Sequence, residues 1–138
     1  MTDHLIITAP ELAPPVGFAH AVIPAGSNIV FLGGQTALNA DNEIVGTTIV
    51  EQFDQAASNL ACAMRAAGCG QDDLISLQIY CTDIAGYRAS LRELAPIWRG
   101  HFGSRYPAMG LFGVTRLFDD EAMLELMGVA ARKSPTSV

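Results

Sequence analysis

The sequence predicts an α+β fold, helices packed on a β-sheet, within one domain over residues 1–138. Three observations predict it. Apolar residues recur at spacings of three and four in two segments, 48–67 and 83–98, as they do along one face of a helix. Shorter segments alternate or run apolar, rich in β-forming residues. The order is strands, helix, strand, helix, strand, strand, with no internal repeat and no linker-like stretch.

Taken in order, residues 9–28 are turn-rich, with Pro10, Pro14, Pro15, Gly17, Pro24 and Gly26. Within them, residues 18–22 fit a short edge strand. Residues 29–32, Ile-Val-Phe-Leu, form a strong short strand running into Gly33-Gly34, and a glycine pair there marks a bulge or a close backbone approach. Residues 39–42 read as a polar turn. The first helix is the clearest element. Ile49, Phe53, Ala56, Ala57, Leu60, Met64 and Ala67 share a face, Thr48 and Glu51 fit a capping box, and Gly68 fits the stop. Residues 74–81 alternate as a strand. Asp83 is placed to cap a second helix, in which Tyr87, Leu91, Leu94 and Trp98 step by 4, 3 and 4 and Pro96 introduces a bend near the end. Residues 99–108 are expected as a loop, 109–116 as a strand, 118–121 as a turn and 123–131 as the last strand. From Arg132 onward the chain reads as a polar tail.

Composition narrows the function. Eight Lys and Arg against fourteen Asp and Glu give a formal charge of −6, and the basic residues are scattered. A nucleic-acid binder carries a basic patch or stripe, so no nucleic-acid partner is expected. Half the residues are hydrophobic and only 16% are charged, against about 25% in typical domains. So apolar and lightly charged a small chain is expected to bury surface against copies of itself. Cys62, Cys69 and Cys81 form no CxxC pair or disulfide framework, which fits a reduced, cytoplasmic protein. The N-terminus lacks the basic and apolar regions of a secretory signal, and no run of 18 apolar residues would span a membrane.

The familiar catalytic motifs are absent. There is no GxSxG and no HExxH, and Gly33-Gly34 lacks the Gly-Lys-Ser/Thr of a phosphate loop. His4, His20 and His101 are too far apart to announce a metal site, so no metal and no cofactor are expected. Four residues remain as catalytic candidates. Glu125 sits inside an apolar strand, where a carboxylate either reaches solvent or is held by donors. Arg116 closes the preceding strand, as a rim residue or a ligand contact. His101 and Arg105 share the loop with Tyr106, and an imidazole there suits a general base. The cysteines read as small buried hydrophobes.

The segments FLGGQTAL (31–38), EQFDQAASNLACAMRAAG (51–68), DLISLQIYCTDIAGY (73–87), SRYPAM (104–109) and LELMGVAA (124–131) resemble, in order and spacing, the RidA/YjgF family, long labelled endoribonuclease L-PSP. The resemblance spans residues 10–132. It implies a chorismate-mutase-like two-layer fold, a mixed sheet with two helices on one face. It also implies a homotrimer with ligand clefts between subunits, and cofactor-free hydrolysis of 2-imino or enamino acids to 2-keto acids and ammonia. In such deaminases an arginine after the Tyr-Pro-Ala segment grips the substrate carboxylate through two parallel donors. Here Met109 stands in that place. By the same correspondence Met127 replaces a glutamate that positions water, Phe18 a tyrosine, Leu91 an asparagine and Leu111 a small polar residue or cysteine. The implied pocket is Phe18, Leu91, Met109, Leu111 and Met127, with backbone contacts from Gly33 and Gly34. A register slip of two in the last strand would make Glu125 the acid, on the same strand face as Met127. Two functions follow from the resemblance: a divergent deaminase or hydrolase of a small enamine or imine, or a non-catalytic trimer binding a small apolar metabolite. RNA cleavage is disfavoured by the acidic chain.

Overall fold

Thr48 begins the longest helix by the expected reciprocal bonds. Its Oγ1 accepts from the Glu51 N–H at 3.1 Å, and Glu51 Oε1 accepts from the Thr48 N–H at 3.2 Å. The N–H groups of Thr47 and Thr48 hold the Glu51 carboxyl below its usual range. Gly68, at φ +85°, follows the C-terminus. In the computed structural model, which describes residues 4–133, this helix is α1 (Ile49–Ala66). The other elements are β1 (Leu5–Ile7), β2 (Ala21–Ile23), β3 (Ile29–Gln35), β4 (Leu74–Cys81), α2 (Ile84–Ala89), α3 (Leu91–Phe102), β5 (Ala108–Gly113) and β6 (Leu124–Ala131), with a 3-10 turn at Gln71–Asp73. Residues 134–138, most of the expected polar tail, lie outside the described residues.

One six-stranded mixed sheet runs β1-β2-β3-β6-β4-β5. Among the described residues only β4 and β5 pair in parallel, as the crossover through α2 and α3 requires. The helices cover one face. There Phe53, Leu60 and Met64 of α1 and Leu94, Trp98 and Phe102 of α3 bury against Leu32, Leu77, Ile79, Leu124 and Leu126 of the sheet. The other face is open and keeps large apolar side chains about half exposed, among them Phe31, Phe112 and Met127. The two-layer arrangement is the one expected.

Five details differ from the sequence expectation. β1, an edge strand, is only three residues long and shows no periodicity to read. The strand sought at 18–22 is Ala21–Ile23, and it lies between β1 and β3 rather than at an edge. The second helix is two: Ser90 ends α2 and begins α3, and its Oγ donates to the Gly86 carbonyl at 2.8 Å. Residues 99–102, expected in a loop, complete α3, and Gly103 at φ +79° stops it. Trp98 and Phe102 lie four apart and extend the apolar stripe by that last turn. Pro96 sits in the middle of α3 rather than near its end.

Three buried polar side chains fix the segments around the site. Gln52 Nε2 donates to the Gly46 and Glu121 carbonyls while its Oε1 accepts from Met123 N–H, tying the approach to α1 to the approach to β6. Asn59 Nδ2 donates to the carbonyls of Thr36 and Leu38, just past β3. His20 Nδ1 accepts from Ala9 N–H at 2.9 Å, so Nε2 carries the proton toward Ala13 O at 3.1 Å. This holds the turn-rich segment that carries Phe18.

Candidate functional site

Parallel pairing decides where β5 points its side chains. Met109 lies beside Leu77 and Leu111 beside Ile79, and both β4 partners face the helices. Met109 and Leu111 therefore meet α3 across a groove of about 270 Å³. Leu91, Leu94 and Trp98 form its helical wall, and Tyr106 lies over the loop side. Tyr106 stacks on Trp98 with centroids 5.4 Å apart, and Trp98 Nε1 donates to the Arg105 carbonyl at 3.3 Å. Tyr87 lines the groove as well, and burial pushes its phenol up to about 12, so it is neutral across the physiological range. The lining holds no carboxylate, imidazole, guanidinium or amine. Leu91, Met109 and Leu111 are thus together in one apolar groove.

The remaining predicted pocket residues lie on the open face of the sheet. Pairing between β3 and β6 shifts between Leu32 and Gln35, so Gly33-Gly34 forms the expected irregularity. Gly33 N–H donates to the His20 carbonyl at 2.8 Å and is therefore already engaged. A Cβ on Gly33 would run into the Ala19 carbonyl oxygen and reach Phe18 Cδ2 at 3.3 Å. A Cβ on Gly34 would run into the Glu125 carboxylate. Glu125 lies opposite Tyr80 in register, and Tyr80 stacks on Phe112 with centroids 5.7 Å apart. Burial, with the nearby negative charge of Asp119, raises the Glu125 carboxyl above its usual range. Met127 is two residues on, half exposed on the same face. Within the chain the sheet separates Phe18, Gly33, Gly34, Glu125 and Met127 from Leu91, Met109 and Leu111.

The other three candidates join neither group. His101 is on α3, not in a loop, and its Nε2 lies 2.7 Å from Asp54 Oδ1 of α1. It lines two hollows on the outside of the helix layer, one with Glu51 and Asp54 and one with Arg65 and Gln71. Arg105 and Arg116 are exposed in loops flanking β5, and the ion pairs among the described residues are His101–Asp54 and Lys133–Asp72. Among the described residues no three His, Cys, Asp or Glu side chains converge as metal ligands. The three cysteines are free and buried, and burial pushes the Cys69 thiol up to about 11, which leaves it unreactive. No helix of the described residues is long and apolar enough to cross a membrane. Tyr80 and the Tyr106–Trp98 stack are not among the site residues that the sequence singles out. Their signal was present as aromatic residues at the outward position of a strand and four residues beyond a helix.

The chain matches the model of the endoribonuclease L-PSP family over residues 8–132. A 2-iminobutanoate/2-iminopropanoate deaminase of Dermatophagoides farinae is 27% identical over 118 residues, covering 85% of this chain and 88% of the relative. A RutC family protein of Pyrococcus horikoshii is 30% identical over 125 residues, covering 89% and 94%. Among solved structures, Escherichia coli TdcF with bound serine superposes with a TM-score of 0.80 at 24% identity, over 94% of this chain and 99% of that one. The E. coli YjgF gene product gives 0.81 at 19% identity over the same shares. At these identities the structural likeness establishes the fold.

Proposed function

We propose that this chain, which belongs to the endoribonuclease L-PSP family, is a divergent trimeric hydrolase of small enamines or imines whose pocket takes an apolar body in place of a carboxylate. The observation that carries this is Met109 at the mouth of a groove with no charged side chain in its lining. Methionine offers no donor, so a carboxylate entering there would lose water and gain no bidentate partner. Thioether, leucine and aromatic surfaces instead favour an apolar or aromatic group.

A hydrolytic water needs a proton acceptor, and the groove lining supplies none. Glu125 is on the far face of the sheet, so a pocket with both parts takes the groove from one protomer and the open face from its neighbour. The half-exposed Phe31, Phe112 and Met127 support burial of that face against another copy, as does the low charge of the chain. Free, buried cysteines support a reduced, cytoplasmic setting. In the reaction, water adds to the carbon of C=N, the C–N bond breaks and nitrogen leaves as an amine or ammonia. The absence of acid and base from the groove lining also favours a second reading, a non-catalytic trimer that holds a small apolar metabolite.

A crystal soaked with neutral aromatic fragments tests the pocket. Fragments at a subunit boundary beside Met109 support it. A cleft closed by Met109 and Met127, with fragments bound elsewhere, contradicts it. Sedimentation equilibrium tests the assembly: three copies of the 14.6 kDa chain weigh about 44 kDa, and a monomer or dimer mass refutes the trimer.

A further inference from the structure

We propose that the Glu125 carboxylate is a receptor for a positively charged nitrogen, so that the ligand is a small apolar-bodied amine or protonated imine rather than a carboxylic acid. This deepens the proposed function and rests on its two-protomer pocket.

The first argument is placement. Glu125 lies on β6, an interior strand of the sheet, between Leu124 and Leu126, which are fully buried on the helix side. A carboxylate there faces the apolar open side, in the middle of a sheet rather than at its rim. The second is how it is seated. Gly34 leaves the volume that the carboxylate occupies, because any Cβ at that position would meet it. On one side, across the β6–β4 pairing, stands Tyr80 with Phe112 stacked on it. On the other, past the glycine pair, lies Phe18. A carboxylate with aromatic residues on the segments to either side is the chemistry that recognises an ammonium, by charge and by the negative π faces together.

The third argument is what the carboxylate lacks. Among the described residues no hydrogen bond or ion pair reaches it, and the charged group that acts on it most is another carboxylate, Asp119. Burial raises its proton affinity, the response of a charge with no counter-ion. A half-buried anion without a donor is a net cost to the fold. A cationic ligand supplies the missing counter-charge, whereas a carboxylate ligand would add a third anion.

The test is calorimetric titration of the full-length assembly at pH 7 with benzylamine, benzyl alcohol and benzoate, probes that share a ring and differ in charge. Benzylamine is expected to bind at least about tenfold more tightly than benzyl alcohol, and benzoate more weakly than either. Glu125→Gln, which keeps the shape, is expected to abolish the preference for benzylamine over benzyl alcohol. Benzoate binding as tightly as benzylamine, or an amine preference surviving in Glu125→Gln, overturns the proposal. So does the absence of binding by all three. A Met109→Trp variant separates the two claims. Benzyl alcohol binding that this variant blocks, with no preference for the amine, leaves the apolar pocket standing and removes the role of Glu125. An amine preference that depends on Glu125 but ignores Met109→Trp supports Glu125 and removes the apolar groove.

Discussion

Adjacent glycines at 33 and 34 should respond in opposite ways to the same methyl group. In Gly33→Ala the new Cβ meets the backbone carbonyl of Ala19. That carbonyl cannot swing away cheaply. The next residue, His20, is held by Ala9 N–H and Ala13 O, and its own carbonyl accepts the Gly33 N–H at 2.8 Å. Relief means parting residues 18–20 from β3, which loses a hydrogen bond of about 1 kcal/mol and adds overpacking of about 1–3 kcal/mol. The expected destabilisation is therefore about 2–4 kcal/mol. In Gly34→Ala the atoms nearest the new Cβ all belong to the Glu125 side chain, its carboxylate first, and that side chain can rotate outward. Ejecting that carboxylate relieves a half-buried charge, and alanine narrows the unfolded ensemble by about 0.4–1 kcal/mol. The net change is expected within about 1 kcal/mol of zero. Urea unfolding at one fixed protein concentration measures both variants, since the proposed assembly would make stability concentration-dependent. Benzylamine titration of Gly34→Ala should show the amine preference lost in a stable protein. A Gly33→Ala variant as stable as the parent, or a Gly34→Ala variant as unstable as Gly33→Ala, would refute the reasoning.

Two further outcomes follow from buried polar groups. Gln52→Leu strips the Gly46 and Glu121 carbonyls and the Met123 N–H of their partner at once; a loss of about 3 kcal/mol is expected by urea unfolding, and a change below about 1 kcal/mol would show that water replaces the amide. Burial and Asp119 raise the folded-state pKa of Glu125 above its ordinary 4.5, so the native protein keeps this proton longer than the unfolded chain, and stability declines as pH rises from the ordinary value through the raised one. Glu125→Gln removes that decline. Its Tm should match the parent near pH 4 and exceed it at pH 7, and an equal or lower Tm at pH 7 would show that the charge is compensated in the folded protein.

What was legible in the sequence was what has a period. The α1 stripe and its Thr48–Glu51 cap, and the alternation of β4 and β6, are local and strong, and each appears where spacing put it. Elements without a period were lost or displaced. β1 has three residues, and the last turn of α3 hid behind Gly100 and Gly103 in a stretch that reads as loop. The site was legible residue by residue but not in its layout. Alternation correctly put Glu125 and Met127 on one face of their strand. It carried no information that Met109 and Leu111 face the other way, because that follows from the parallel register of β5 on β4. Likewise His101 looked free for catalysis until α3 brought it to Asp54, 47 residues away in sequence.

The central claim, that Met109 replaces carboxylate recognition by an apolar contact, is tested most directly by coupling a pyridoxal-phosphate dehydratase to this protein and following keto-acid release from 2-iminopropionate. The account predicts release no faster than in the protein's absence. A rate matching that of a Rid deaminase that carries the arginine would contradict it, and would show that the carboxylate is gripped elsewhere on this chain.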